Sequence, residues 1–160
     1  SGSTIVAGGT QNIYSGGVAS GTALESGGTI WVWSGGAAIG TVASGSGALL
    51  VESGGATSGT TAMAGAGEYI YSGGATAAAH INSGGTENVS GGTATGTIIQ
   101  SGGVENVYSG GVISTTTVSA GGVAWLWAGA NARSMTVASN GIALVSSGAA
   151  TSGTLVISQG

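Results

Sequence analysis

The chain has no cysteine, no proline and no phenylalanine, and Arg133 is the only basic side chain among its 160 residues. Without cysteine there is no disulfide and no thiolate chemistry, and the redox compartment stays open. One arginine and no lysine exclude electrostatic binding to nucleic acid or to anionic lipid, both of which need clustered positive charge. All five acidic residues are glutamate. The lack of aspartate removes nine-residue calcium β-roll repeats, which place a ligand Asp in every turn. His80 is the only histidine, so no imidazole pair exists for a metal, and a nucleophile triad has neither its acid nor an elbow in a helix-bearing context. No apolar run reaches the ~18 residues of a membrane helix. The residues imply no enzyme, no cofactor, no nucleic-acid partner and no membrane insertion by this segment.

Charge is scarce in general. Charged residues make up 4% of the chain, against about 25% in an average globular domain. Disorder does not follow, because the mean hydropathy is +0.43 and the net charge only −4, the reverse of the disordered signature. What is abundant is glycine, 36 residues. That number excludes a helical protein, since each interior Gly costs a helix roughly 1 kcal/mol. Collagen is excluded by the missing proline and the missing three-residue period.

The glycines fall in a repeat. Units begin at Ala7, Ser26, Gly45, Ala64, Ser83, Ser101, Ala120 and Ser139, with spacings of 19 residues and one of 18. The generic unit reads S-G-G-x-x-x-aliphatic-x-S-G-G-x-x-x-G-T-x-aliphatic-x. Position 7 holds Ile13, Val32, Val51, Ile70, Val89, Val107, Leu126 and Val145; position 18 holds Leu24, Ala43, Ala62, Ile81, Ile99, Val118, Val137 and Val156. Neither column has a polar exception. Unit 5 is the short one: Val89 runs straight into Ser90-Gly91-Gly92, so the loss falls at the eighth position, just before a corner. Units 1–3 also resemble units 6–8 at an offset of 94, with Asn12-Ile13-Tyr14 matching Asn106-Val107-Tyr108 and Trp31-Val32-Trp33 matching Trp125-Leu126-Trp127. A five-unit block has been duplicated.

One unit cannot bury its aliphatic side chains alone. Stacked at ~4.8 Å, identical units line those side chains into a continuous core and pair each backbone amide with the next coil. The expected fold is all-β, a single β-solenoid domain spanning 1–160 with about eight 19-residue coils. It should be ~38 Å long, with two extended segments per coil, Gly-Gly corners and a flattened interior. The chain starts and stops mid-unit, which predicts continuation into a longer chain or end-to-end stacking.

Strand alternation sends positions 6 and 8 to the face opposite position 7. All eight aromatic residues lie in those two columns: Tyr14, Trp31, Trp33, Tyr69, Tyr71, Tyr108, Trp125 and Trp127. They should form a stripe down one side, a candidate surface for self-association, partner contact or glycan stacking. Glu68, Glu87 and Glu105 share position 5 of units 4–6 and should stack about 5 Å apart. Like charges that close repel unless solvated or bridged, so the expectation is an exposed acidic ladder, with a weak cation site or a paired-carboxylate catalyst as the alternatives. Thr22, Thr41, Thr60, Thr97, Thr116 and Thr154 form a column at position 16. Outward, it would suit ice binding. Its parity with position 18 points it inward.

The stretch Ser90-Gly91-Gly92-Thr93-Ala94-Thr95-Gly96-Thr97-Ile98-Ile99-Gln100-Ser101-Gly102-Gly103 resembles the AIDA-type repeat of bacterial autotransporter adhesin passengers, and the likeness extends over about 7–157. That resemblance implies an extracellular or cell-surface β-helical stalk acting in adhesion, self-aggregation, or fibre and biofilm formation. Its partners would be itself or cell-surface and glycan ligands. In some members the repeat serines and threonines carry O-linked heptoses. The second reading is an ice- or glycan-binding β-solenoid.

Overall fold

The computed structural model describes residues 2–157; Ser1 and residues 158–160, the ends of the expected 1–160 domain, lie outside them. All regular structure among the described residues is parallel β-sheet, stacked one coil per repeat unit. No helix among them is long and apolar enough to cross a membrane.

Each coil has three sides where two were expected. The first side is a four-residue strand at positions 4–7, such as Thr29–Val32; the second has three residues at 12–14, such as Ala37–Ile39; the third has two at 17–18, such as Val42–Ala43. The sides build one nine-stranded and two eight-stranded parallel sheets. The register is position on position, for example Trp31↔Leu50 on the first side and Ala38↔Thr57 on the second. The additional bend sits at position 15, the glycine before the threonine column. There Gly40 has φ +62°, and Ala78 (54°), Thr115 (53°) and Ser134 (53°) take the same left-handed conformation without being glycine.

The Gly-Gly corners use their two glycines for different reasons. Gly35 turns left-handed with φ +71°, whereas a Cβ on Gly36 would stand 2.3 Å from the Ile13 carbonyl oxygen of the coil before. The first glycine supplies a conformation, the second a close approach. Ala66, Ala130 and Ala149 take the second place in coils 4, 7 and 8, so that constraint varies by coil. The corners are also bonded between coils: Gly16 N–H donates to the Gly35 carbonyl at 2.9 Å and Gly35 N–H to that of Gly54 at 2.8 Å. Backbone polar groups are therefore satisfied at the bends as well as in the strands.

Unit 5 loses its residue in the corner. Ser90 N–H donates to the Ile70 carbonyl at 2.8 Å, the bond that Tyr71 makes to Val51 at 3.0 Å one coil earlier. Ser90 therefore occupies the eighth position, and the tight turn after it is what shortens. The strands on either side keep their register, Val89↔Val107 and Thr93↔Val112.

Positions 5, 7, 13, 16 and 18 point inward. Leu24, Ile30, Val32, Ile70, Ile99, Ile113 and Leu126 are fully buried. Side-chain volume is traded between sides: where position 5 shrinks to Ala124, position 16 grows to Met135, and both are buried. In coil 8 the same columns lie open, with Val145 50% and Val156 67% exposed.

A β-branched residue in the left-handed region costs roughly 1–2 kcal/mol, part of which glycine returns as chain entropy. Thr115→Gly is therefore expected to raise the free energy of unfolding by about 0.5–1 kcal/mol. Urea denaturation followed by circular dichroism checks it; an unchanged or lower midpoint contradicts the account of the third bend.

Candidate functional site

Two features stand out, one on the outer face of the first sheet and one inside it. The outer face carries the expected aromatic stripe. Tyr14, Tyr71, Tyr108, Trp125 and Trp127 are exposed, while Trp31, Trp33 and Tyr69 are half-buried. The rings are organised as two equivalent stacks. In the first, Trp33 lies parallel to Trp31 at 5.3 Å between centroids and to Tyr14 at 6.3 Å, both pairs 9° from coplanar. In the second, Trp127 lies 5.5 Å from Trp125 and 6.3 Å from Tyr108, at 10° and 4°. Trp33 Nε1 donates to Asn12 Oδ1 at 3.0 Å, which fixes the first stack against coil 1. Offset stacks of this kind are favourable beyond the area they bury, and they hold each ring in one orientation.

The interior feature corrects the sequence reading. Glu68, Glu87 and Glu105 do form a ladder, Glu68↔Glu87↔Glu105, but all three are fully buried. The signal was available: position 5 has the parity of the aliphatic position 7, so a strand sends both inward. Its neighbours in the column are Ile30, Leu49 and Ala124. What supports a carboxyl there is a set of threonines from the other two sides. Glu68 Oε1 accepts from Thr57 Oγ1 at 2.5 Å, and from Thr60 and Thr76 at 3.2 Å. Thr57 and Thr76 stand at position 13, which is Ala in coils 1, 2, 5 and 7. The four oxygens of Glu87 and Glu105, and the hydroxyls of Thr97 and Thr116, have no hydrogen-bond partner.

Burial pushes all three carboxyls above their ordinary range. Glu105 is raised to about 7 by loss of water. Glu87, in the middle, is raised well above the ordinary value by loss of water and then by its two acidic neighbours. Glu68 is raised by burial, with its three threonine bonds opposing. The interior thus favours the protonated form of all three, the form in which a buried carboxyl avoids the cost of an unpaired charge. Among the described residues no group of three or more His, Cys, Asp or Glu side chains is arranged to hold a metal ion. The expected solvated ladder is instead an internal column of carboxyls.

The threonines of position 16 point inward as their parity implied: Thr22, Thr41, Thr60, Thr97 and Thr116 are buried. The outward position 14 is broken by Ile39, Ala77 and Arg133, so no flat threonine array faces water. His80 is half-buried and Arg133 exposed.

Residues 6–67 match the family model described as AIDA, the adhesin of the bacterial autotransporter system, probable stalk. Over those residues the chain is similar to AIDA-type stalk repeats. Among solved structures, a TibC-catalysed hyper-glycosylated fragment of TibA is 29% identical, with the alignment covering 99% of this chain and 81% of that one at a TM-score of 0.54. A plasmid-mediated fluoroquinolone resistance protein, QnrB1, is 12% identical over 98% of this chain and 92% of its own at a TM-score of 0.31. No curated protein matches. The stalk repeats and the TibA likeness support an adhesin-type autotransporter segment.

The buried carboxyls set a pH dependence. Their folded pKa values lie above the unfolded value, so the folded state binds more protons. The stability they permit is full below the ordinary glutamate value and falls as pH rises through the folded values. For Glu105 that window runs from 4.5 to about 7, a loss on the order of 3 kcal/mol; Glu87 is shifted in the same direction. Thermal unfolding is expected to have a higher midpoint at pH 4.5 than at pH 8, and Glu87→Gln should raise the midpoint at pH 8 with little effect at pH 4.5. Equal midpoints for the wild-type chain at the two pH values would contradict neutral burial.

Proposed function

We propose that this chain is a non-enzymatic stalk segment displayed outside the cell, one β-solenoid over 1–160, that associates with copies of itself through the aromatic stripe. The observation that carries the reading is the pair of Tyr–Trp–Trp stacks on the outer face of the four-residue strands. Each presents flat apolar area whose rings are already ordered by their neighbours, so little side-chain entropy remains to be lost on contact. Trp and Tyr anchors of this kind dominate interface energetics. The opposing force is small: a net charge of −4 repels a second copy weakly. The likeness of residues 6–67 to AIDA-type stalk repeats supports an adhesive stalk outside the cell.

The test is sedimentation velocity across a range of concentrations. The wild-type chain should form dimers or larger species as concentration rises, and Trp31→Ala combined with Trp125→Ala should weaken that association at least about tenfold while leaving the β-sheet circular dichroism intact. A strictly monomeric wild-type chain, or undiminished association of the double variant, would rule out the stripe as the contact.

A further inference from the structure

The aromatic face is interrupted at one place, and the interruption has a shape. In coil 5 the two outward positions carry Asn88 and Ser90 where coil 4 has Tyr69 and Tyr71. Coil 6 carries Asn106 and Tyr108 at the same places. Tyr69, Tyr71, Asn88, Ser90 and Tyr108 line a cleft of about 360 Å³, within the range of small-ligand sites. The cleft is the vacancy of one ring: Ser90 sits at the eighth position between Tyr71 and Tyr108, bonded through its backbone as an aromatic residue there would be.

We propose that this cleft is a carbohydrate-binding slot that receives one neutral pyranose ring between Tyr71 and Tyr108. Three features support that occupant. The first is depth. Tyr71 and Tyr108 are two coil steps apart, ~9.6 Å along the axis. A carbon contact on each wall takes ~3.5–4.0 Å. Space remains for a single ring layer, and a puckered saturated ring fills more of it than a flat one. The second is chemistry. The walls are aromatic, while the floor holds the Asn88 amide, oriented by neighbours outside the cleft: its Oδ1 accepts from Asn106 Nδ2 at 3.1 Å and its Nδ2 donates to Thr86 Oγ1 at 3.5 Å. Ser90 adds a hydroxyl. Apolar walls with a few polar groups are how a site takes a ligand whose faces are C–H and whose edge is hydroxyl. No charged residue lines the cleft, so an ionic ligand finds no partner there. The third is local fitting. Gly67 is the one glycine at position 4; a Cβ on it would stand 2.7 Å from Tyr69 Cε2 and 2.8 Å from Tyr69 Oη. Its absence lets the Tyr69 ring lie along the strand at the edge of the slot.

The slot borders the proposed association surface and shares Tyr108 with its second stack, but Tyr71 and Ser90 belong to neither stack, so Ser90→Tyr separates the two readings. Saturation-transfer NMR on the wild-type chain tests it, with the methyl glycosides of glucose, galactose, mannose and N-acetylglucosamine at millimolar concentration as probes and indole as the flat-ring control. At least one glycoside should show transfer to its ring protons. Ser90→Tyr, which puts a ring where the sugar would sit, should reduce that signal at least about fivefold, as should Tyr71→Ala with Tyr108→Ala. Trp31→Ala, in the first stack and away from the slot, should leave it unchanged. Circular dichroism confirms that each variant keeps its sheet; because Ser90→Tyr supplies the residue type of coils 4 and 6, it also serves as the variant least disruptive to the fold. Four silent glycosides, a signal undiminished in Ser90→Tyr, or binding of indole alone would each overturn the proposal.

Discussion

The structure depends on one constraint: the backbone of each coil is hydrogen-bonded to the coil beside it at the same position of the repeat. Strand amides reach back one coil and the first glycine of most corners reaches forward one, as Trp33 N–H to the Ile13 carbonyl and Gly35 N–H to that of Gly54, while the second closes the turn within its coil, as Gly36 N–H to the Trp33 carbonyl. Every side chain is thereby placed next to its own equivalents at ~4.8 Å. Such stacking rewards residues that pack well against themselves, such as Val, Ile, Thr and Ala, and penalises repeated charge. The scarcity of charge is a property of the lattice as much as of the surroundings. Arg133 and the outward Glu52 each occur in one coil only within their columns, which is how a stacked chain tolerates them.

The glutamate ladder is the exception that defines the rule. Three carboxyls stand in the interior, in consecutive coils, without a single basic neighbour. The contradiction with self-repulsion disappears once the groups are neutral, for stacked carboxylic acids cost desolvation of a polar group and no more. Threonines at positions 13 and 16 surround Glu68 and bond it, whereas beside Glu87 and Glu105 position 13 is Ala94 and Ile113 and only Thr97 and Thr116 of position 16 stand near, unbonded. The middle of the solenoid is accordingly its most polar part, flanked at coils 2–3 and 7 by purely aliphatic position 5 residues.

Much of this was legible in the sequence because a repeat makes every column its own control. The aliphatic positions 7 and 18 fixed the register, and with it the parallel stacking and the outward aromatic columns. Two things were misread. The third side was missed because its bend consists of one left-handed residue, and a single Gly before Thr looks like an ordinary strand irregularity; three of its eight occurrences, Ala78, Thr115 and Ser134, are not even glycine. The glutamates were placed outside because the usual price of a buried charge outweighed the parity of position 5, although Ile30 and Leu49 in the same column argued for the interior. The cleft at coil 5 needed the structure, since the sequence places the deletion at position 8 and only the backbone bonds of Ser90 move it into the corner.

The duplicated block has a metric consequence. The two Tyr–Trp–Trp stacks are five coils apart, about 24 Å along a straight axis, on the same face and separated by a rigid β-sheet. A partner with matching features at that spacing engages the second stack as an intramolecular event, at an effective concentration set by the solenoid and without a flexible linker to dilute it. A partner with any other spacing gains only one contact. Copying a whole number of coils therefore created a ruler: it selects among extended partners by length, even though the two sites are chemically the same.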